Sequence, residues 1–265
     1  MKNDYNDEVA VLVFAYEGFE EIWPIFFDRL NKYWKEVPFK LYFASSKAIK
    51  INYDYVFLEL DKEQTWTERL CSALNKVDSK YVLFFLEDWL ITTEIDNENI
   101  YETINYILKN DILYYKFFFP SFSSNYNKKF KFDENRYYID ENRKYGISIQ
   151  PAVWNREYLV KLLERLKINA WEFEKELDSM NLINEESLIK HVYDSRNLLN
   201  LSHALIKGKY VRNVYKIIKK EYKQTFNIKQ MGIVETFVLK CKQLVRRLFP
   251  KVLRKKRYNY NENLK

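Results

Sequence analysis

The chain has 265 residues, 47% hydrophobic and 31% charged, the balance of a globular protein with one substantial core and not of a disordered or fibrous one. Its two cysteines, Cys71 and Cys241, fit neither a secreted disulfide framework nor a metal-ligand spacing. The net charge of +7 is unevenly placed: residues 229–265 hold 11 basic and 2 acidic side chains, a local +9, which leaves residues 1–228 at −2. Nucleic-acid binding needs a basic stripe on the folded domain, so it is disfavoured.

The N-terminal octapeptide is too polar for a signal peptide, and no apolar run is long enough to span a bilayer. The expected compartment is the cytoplasm.

In chain order, the apolar run 9–15 reads as a buried parallel strand, with Gly18 in the turn that follows. Ile22, Ile25, Phe26, Leu30 and Tyr33 then repeat at helical spacing, and Pro38 stops the helix. Strands are expected at 39–44, 55–60 and 81–86, with a helix at 66–76 before the last of them. A helix at 97–109 and a strand at 113–119 continue the alternation, which is that of an α/β protein with a mostly parallel, Rossmann-type sheet flanked by helices. Residues 121–136 read as a long loop or an edge hairpin. Beyond them a short strand at 147–150 and helices at 155–166, 169–177, 185–200 and 211–223 are expected.

Four glycines cannot supply G-x-G-x-x-G, and no Walker G-K-[ST], HExxH, G-x-S-x-G or CxxC is present. Dinucleotide oxidoreductases, P-loop enzymes, zincins and serine hydrolases are therefore disfavoured. What remains is acidic residues at strand ends, foremost Glu87-Asp88 after the strand 81–86. Ligands of open α/β sheets bind at the carboxyl ends of the strands. A carboxylate there suits Mg²⁺ or Mn²⁺, hard cations that share their shell with substrate phosphates. Neighbouring strand residues point oppositely, so one of the two carboxylates faces the metal, and Asp88 is assigned that role. The plainer reading is that the pair begins a turn.

The stretch Trp66-Thr-Glu-Arg69-Leu-Cys-Ser-Ala-Leu-Asn75, followed by Tyr81-Val-Leu-Phe-Phe-Leu-Glu-Asp88, resembles the approach to the metal-binding DxD-type motif of GT-A glycosyltransferases. Ala15-Tyr16-Glu17 is similar to the end of that family's first strand, which cradles the nucleotide base. Downstream, Ser148-Ile-Gln150-Pro151-Ala152-Val-Trp154 and Asn169-Ala-Trp171-Glu172-Phe173-Glu174 resemble the S-x-Q-P-A-x-W and W-x-F-E segments of bacterial capsule and lipopolysaccharide glycosyltransferases of a family-two-like kind. Ile206-Lys-Gly208-Lys209-Tyr is similar to their later turn. Together the matches span about residues 9–223.

The resemblance implies a GT-A-like fold and metal-dependent transfer of a sugar from a nucleotide-diphosphate donor, a UDP-sugar first among them. The acceptor is a hydroxyl of a glycan or lipid-linked molecule; inversion is expected only through the assignment of a base, with retention as the alternative. Such chemistry needs a cation for the departing diphosphate and a base for the acceptor hydroxyl. Asp88 answers the first need, with Glu87 beside it. Of the carboxylates at one helix start, Glu172 has a capping-box task with Asn169. Glu174 lies on the face of Trp171 and is the preferred base, against the plainer reading of a solvated first-turn glutamate. Ala15, Tyr16 and Glu17 are placed at the nucleotide. Arg69, Lys207 and Lys209 are candidates for the diphosphate, and His203 for the metal shell or for simple packing in a helix. Gln150, Trp154 and Trp171 are candidates for the acceptor pocket, Trp154 equally for the core.

From Ile233 the apolar residues recur at three-four spacing through Leu253, opposite Lys240, Lys242, Arg246, Arg247 and Lys251. A catalytic domain at 1–228 and a basic amphipathic tail at 229–265 are expected. The tail is either an in-plane anchor on an anionic membrane, which would make the protein peripheral on the inner face of the cell membrane, or a helix packed on the domain. A nucleotidyltransferase or hydrolase on a similar scaffold, and a non-catalytic carbohydrate- or membrane-binding module, are the alternatives to a glycosyltransferase.

Overall fold

A computed structural model of the chain describes residues 5, 7–117, 131–140, 145–180, 182–183 and 187–248, the last three as backbone alone. Four strands, β1 (Val9–Phe14), β2 (Lys40–Ser45), β3 (Val56–Glu59) and β4 (Tyr81–Leu86), pair in parallel in the order β3-β2-β1-β4. The unbroken apolar runs of β1 and β4 follow from burial on both faces. Val9, Val11 and Val13 enter the core under α1 (Trp23–Tyr33) and α3 (Asn97–Lys109). Ala10, Leu12 and Phe14 enter the core under α2 (Trp66–Asn75), α4 (Arg156–Leu163) and α5 (Ala170–Ser179). Thr65 and Asn169 both close capping boxes, on Glu68 and Glu172.

The sheet continues past β4 through β8 (Ala152–Asn155), β6 (Tyr114–Lys116), β9 (His191–Asp194) and β7 (Arg136–Tyr138). Here β6 and β9 run parallel to the first four strands, while β8 and β7 oppose their neighbours. The sheet is thus mixed and mostly parallel, flanked by helices, as the alternation of elements implies.

Three expectations are corrected. Residues 147–150 form bends, and the strand begins at Ala152, because Pro151 has no amide to give a ladder. The helix expected over 185–200 is replaced, in its described part, by a 3-10 turn and β9, whose four residues are all buried between β6 and β7. Burial at a central strand position overrides a weak helical periodicity. His203 lies in β10 (Leu201–His203), paired antiparallel with β5 (Trp89–Ile91), and not in a helix. Of the stretch 121–136, residues 121–130 lie outside the described residues; its end supplies the edge strand β7.

The hairpin β11 (Leu205–Ile206) and β12 (Lys209–Tyr210) turns through Lys207 and Gly208, with φ of 52° and 68°. Positive φ at both turn residues favours glycine at the second. After α6 (Arg212–Tyr222) the chain returns to β12, where Tyr210 bonds the Lys229 carbonyl and the Met231 amide. Only then does α7 (Ile233–Leu248) depart. Ile233, Val234, Phe237, Val238, Leu244 and Val245 are all exposed on it, so the described part of this helix does not pack its apolar side on the domain. Residues 249–265, with the rest of the expected basic run, lie outside the described residues. No described helix is long and apolar enough to cross a membrane.

Candidate functional site at the carboxyl edge of the sheet

The ends of β1, β2 and β4 are tied together by carboxylates. Glu87 Oε1 accepts the Tyr16 amide at 3.1 Å, joining β4 to β1. Glu87 is 4% exposed; burial and the charge of Asp88 push its carboxyl well above the usual range. It is a structural strut more than a ligand. Glu17 accepts the Ser46 amide at 2.7 Å and Arg69 Nη2 at 2.5 Å, which joins β1, β2 and α2. Burial raises its carboxyl, but the Arg69 guanidinium and Ser46 outweigh that and bring it down to about 2. Tyr16 is 55% exposed beside this knot. Its ring lies so close over residue 18 that a Cβ there would meet it at 2.3 Å, which only glycine avoids without moving the ring.

Asp88 is 9% exposed, and its Oδ2 lies 3.0 Å from His203 Nε2. The β5–β10 ladder sets His203 opposite Trp89, on which the imidazole stacks at 4.5 Å. The Ala204 amide bonds the Asp88 carbonyl at 2.7 Å. Asp88 Oδ1 is buried and has no partner.

On the other flank, Glu174 is half-buried on α5. Burial raises its carboxyl; Asp178 adds to that, while Lys116 and His203 pull against it. The two expected centres, Asp88–His203 and Glu174, are therefore within electrostatic reach of one another. Gln150, two residues beyond the Phe84↔Ala152 pair, carries a buried Oε1 without a partner. Arg69 Nε and Ser46 Oγ are also buried and unpartnered.

Other expected residues fall elsewhere. Trp154 is 1% exposed and packs on Tyr114 with ring centroids 4.4 Å apart, so it is core and presents no face to an acceptor. Its place on a strand buried on both sides is the cause. Trp171 is 62% exposed. Glu172 spends Oε2 on the Asn169 amide at 3.0 Å, its capping task. Lys209 pairs with Glu235 of α7 at 2.5 Å, and Lys207 is exposed at the hairpin tip. Neither lysine has a described side-chain contact with the Asp88 edge. Lys116, buried at the end of β6, is a site neighbour that sequence reasoning missed. A lysine in the middle of the apolar run 113–119 was the available signal.

Among the described residues no group of three or more His, Cys, Asp or Glu side chains is placed to hold a metal. The donor set at Asp88 is one orphaned carboxylate oxygen beside an imidazole, which fits an ion that takes the rest of its shell from phosphate and water.

No family model matches the chain, and no curated protein sequence matches it. Among solved structures it is similar to residues 1–349 of S. aureus TarS in complex with UDP-GlcNAc. The identity is 14% over 90% of this chain and 72% of that one, with a TM-score of 0.39. It is also similar to a cytidylyltransferase from Leptospira borgpetersenii serovar Hardjo-bovis (11%, over 95% and 98%, TM-score 0.43). A third is the bifunctional IspDF from Campylobacter jejuni (16%, over 64% and 47%, TM-score 0.35). The fold itself, a mixed and mostly parallel sheet flanked by helices, is given by the chain's own strand order. At such identities and TM-scores these similarities carry no argument about the reaction, which rests on the residues of the site.

Proposed function

We infer that the chain is a metal-assisted glycosyltransferase that moves a sugar from a nucleotide-diphosphate donor, with a UDP-sugar as first candidate, to a hydroxyl of a glycan or lipid-linked acceptor. The observation that carries this reading is the gathering of buried polar atoms without partners at one sheet edge: Asp88 Oδ1, Arg69 Nε, Ser46 Oγ and Gln150 Oε1. Buried polar groups are nearly always paired. Orphans of both polarities at the ligand-binding end of a parallel sheet mark where a polar, anionic substrate supplies the partners.

Tyr16, beside the Glu17–Arg69–Ser46 knot, offers an exposed ring to a nucleobase. Asp88 and His203 would hold Mg²⁺ or Mn²⁺, whose chemistry is to stabilise the charge of the departing diphosphate. Arg69, held by Glu17 beside the end of β1, would add a guanidinium if Glu17 shares it. The half-buried Glu174 takes the acceptor's proton as its oxygen bonds the anomeric carbon and the bond to the diphosphate breaks, with inversion. A carboxyl raised by burial is a better base than a solvated one.

The exposed apolar side of α7, with Lys240 and Lys242 on the same helix and the basic run after it, suits an anionic lipid surface. A peripheral place on the inner face of the cell membrane fits a lipid-linked acceptor in surface-polysaccharide synthesis. The test of the donor assignment is a thermal-shift series with UDP, GDP, CDP and dTDP in Mn²⁺. One nucleoside diphosphate at 100 times its Kd should stabilise the fold by about 2.7 kcal/mol. Indifference to all four sinks the reading.

A further inference from the structure

Helix α6 and its C-cap Lys223 carry charge of nearly one sign. Arg212, Lys216, Lys219, Lys220 and Lys223 recur every three or four residues and so share one face. The four lysines are exposed, and among the described residues no carboxylate pairs with any of them. Glu221, the single acid of the helix, is turned to α1, where it holds Arg29 and lies 2.6 Å from Lys32 Nζ. Ile218 is fully buried on the inner side, whereas Ile217 is 53% exposed at the margin of the lysines. An apolar side chain bare beside unpaired cations suits a lipid headgroup layer, which takes the charges at its phosphates and the apolar group below them.

The charge of the domain singles out this face. Residues 212–223 hold five basic and one acidic side chain, a local +4; residues 1–228 together stand at −2, so without this segment they stand at −6. Such a domain is repelled by an anionic surface as a whole and drawn to it at α6, which fixes the side that turns to the surface. The helix also shares a root with α7. Tyr210 bridges to Gln230 and bonds the Met231 amide just before α7 begins. The Val211 amide, at the start of α6, bonds the Ala204 carbonyl at 2.8 Å, and the Ala204 amide bonds the Asp88 carbonyl at 2.7 Å. We propose that the outer face of α6, made by Lys216, Lys219, Lys220 and Lys223 with Ile217, is a second contact with an anionic bilayer and docks the domain in one orientation. The two helices divide the work: α7 brings apolar area and α6 brings charge, which alone does not hold a protein on a bilayer. The inference extends the lipid reading of α7 and is independent of the reaction assigned to the site.

The test sediments full-length protein at near-physiological salt with vesicles of phosphatidylcholine, alone and with phosphatidylserine. Lys216→Gln/Lys219→Gln/Lys220→Gln/Lys223→Gln should partition onto the anionic vesicles at least about tenfold less than wild type. Lys62→Gln/Lys109→Gln/Lys161→Gln/Lys175→Gln, which removes the same charge from exposed positions elsewhere, should stay within about threefold of wild type. Circular dichroism checks that both variants fold. Equal losses in the two make net charge the cause and overturn the proposal, as does an α6 variant that binds like wild type. A wild type that ignores anionic vesicles overturns it too, and so does one that binds duplex DNA through these lysines in their place. Phe237→Ser/Leu244→Ser separates the two helices: if it binds like wild type while the α6 variant does not, the lipid reading of α7 falls and that of α6 stands.

Discussion

His203 Nε2 lies 3.0 Å from Asp88 Oδ2, across 115 residues of sequence. The contact is set by backbone as much as by side chains, since β10 pairs with β5 and puts His203 opposite Trp89, one residue past Asp88. The second carboxylate oxygen, Asp88 Oδ1, remains buried and unpartnered, at the edge where the proposed reaction would place a cation.

Replacing Asp88 by Asn keeps the shape but removes the charge. Transfer should fall by two orders of magnitude or more, about 3 kcal/mol of transition-state stabilisation, and Mn²⁺-dependent stabilisation by nucleotide should vanish. Calorimetry with and without Mn²⁺ reads this. Near-normal, metal-dependent turnover in the variant would falsify the assignment.

Glu174→Gln retains reach and hydrogen bonding but cannot take a proton. Its kcat should drop by about a hundredfold or more with donor affinity unchanged. Glu172→Gln can still close the capping box on Asn169 and should cost far less. Assays at saturating donor and acceptor separate the two. If Glu172→Gln is the dead variant, the roles are exchanged; if both are active, the base lies elsewhere.

Much of this site was legible in the sequence. The Val9–Phe14 and Tyr81–Leu86 strands announce themselves because both of their faces are buried, and Glu87-Asp88 stands where an apolar run abruptly ends. Asn169-x-x-Glu172 names its own cap. The partnership of Asp88 with His203 was not legible, because the β5–β10 pairing is made by two three-residue strands whose local pattern is too short to distinguish from helix. Lys116 was passed over, and Trp154 was left open between core and acceptor pocket, for a related reason. Which face of a strand meets core and which meets ligand is decided by β8 and β9 inserting beside β6, a long-range event with no local signature.

His191 offers a test of the fold itself. It is fully buried, with Nε2 at 3.1 Å from the Tyr158 hydroxyl and Nδ1 at 2.8 Å from the Ser187 carbonyl. Burial lowers its pKa from 6.5 to about 4. The folded state therefore prefers neutral imidazole: this contribution is complete above pH 6.5 and is lost as pH falls through about 4. Between pH 7.5 and 4.5 it costs the wild type about 2–3 kcal/mol. Urea denaturation of His191→Phe at both values should show a fall smaller by about that amount. Parallel slopes would show that this histidine is not the titrating group.

Removing residues 233–265 should leave a folded domain, since Ile233, Val234, Phe237 and Val238 cover nothing. The truncated protein should no longer pellet with anionic vesicles, while full-length protein should do so and release as salt rises. A truncation that unfolds, or one that pellets as before, removes α7 as the lipid-binding element.

Product identity tests the central claim most directly. Full-length protein is incubated with a panel of nucleotide sugars, Mn²⁺ and a membrane extract as acceptor, and separately with nucleoside triphosphates and sugar phosphates. The account predicts release of a nucleoside diphosphate from one nucleotide sugar, lost in Asp88→Asn and greatly slowed in Glu174→Gln. Pyrophosphate released from a triphosphate, with no diphosphate from any nucleotide sugar, would contradict it and make the chain a nucleotidyltransferase.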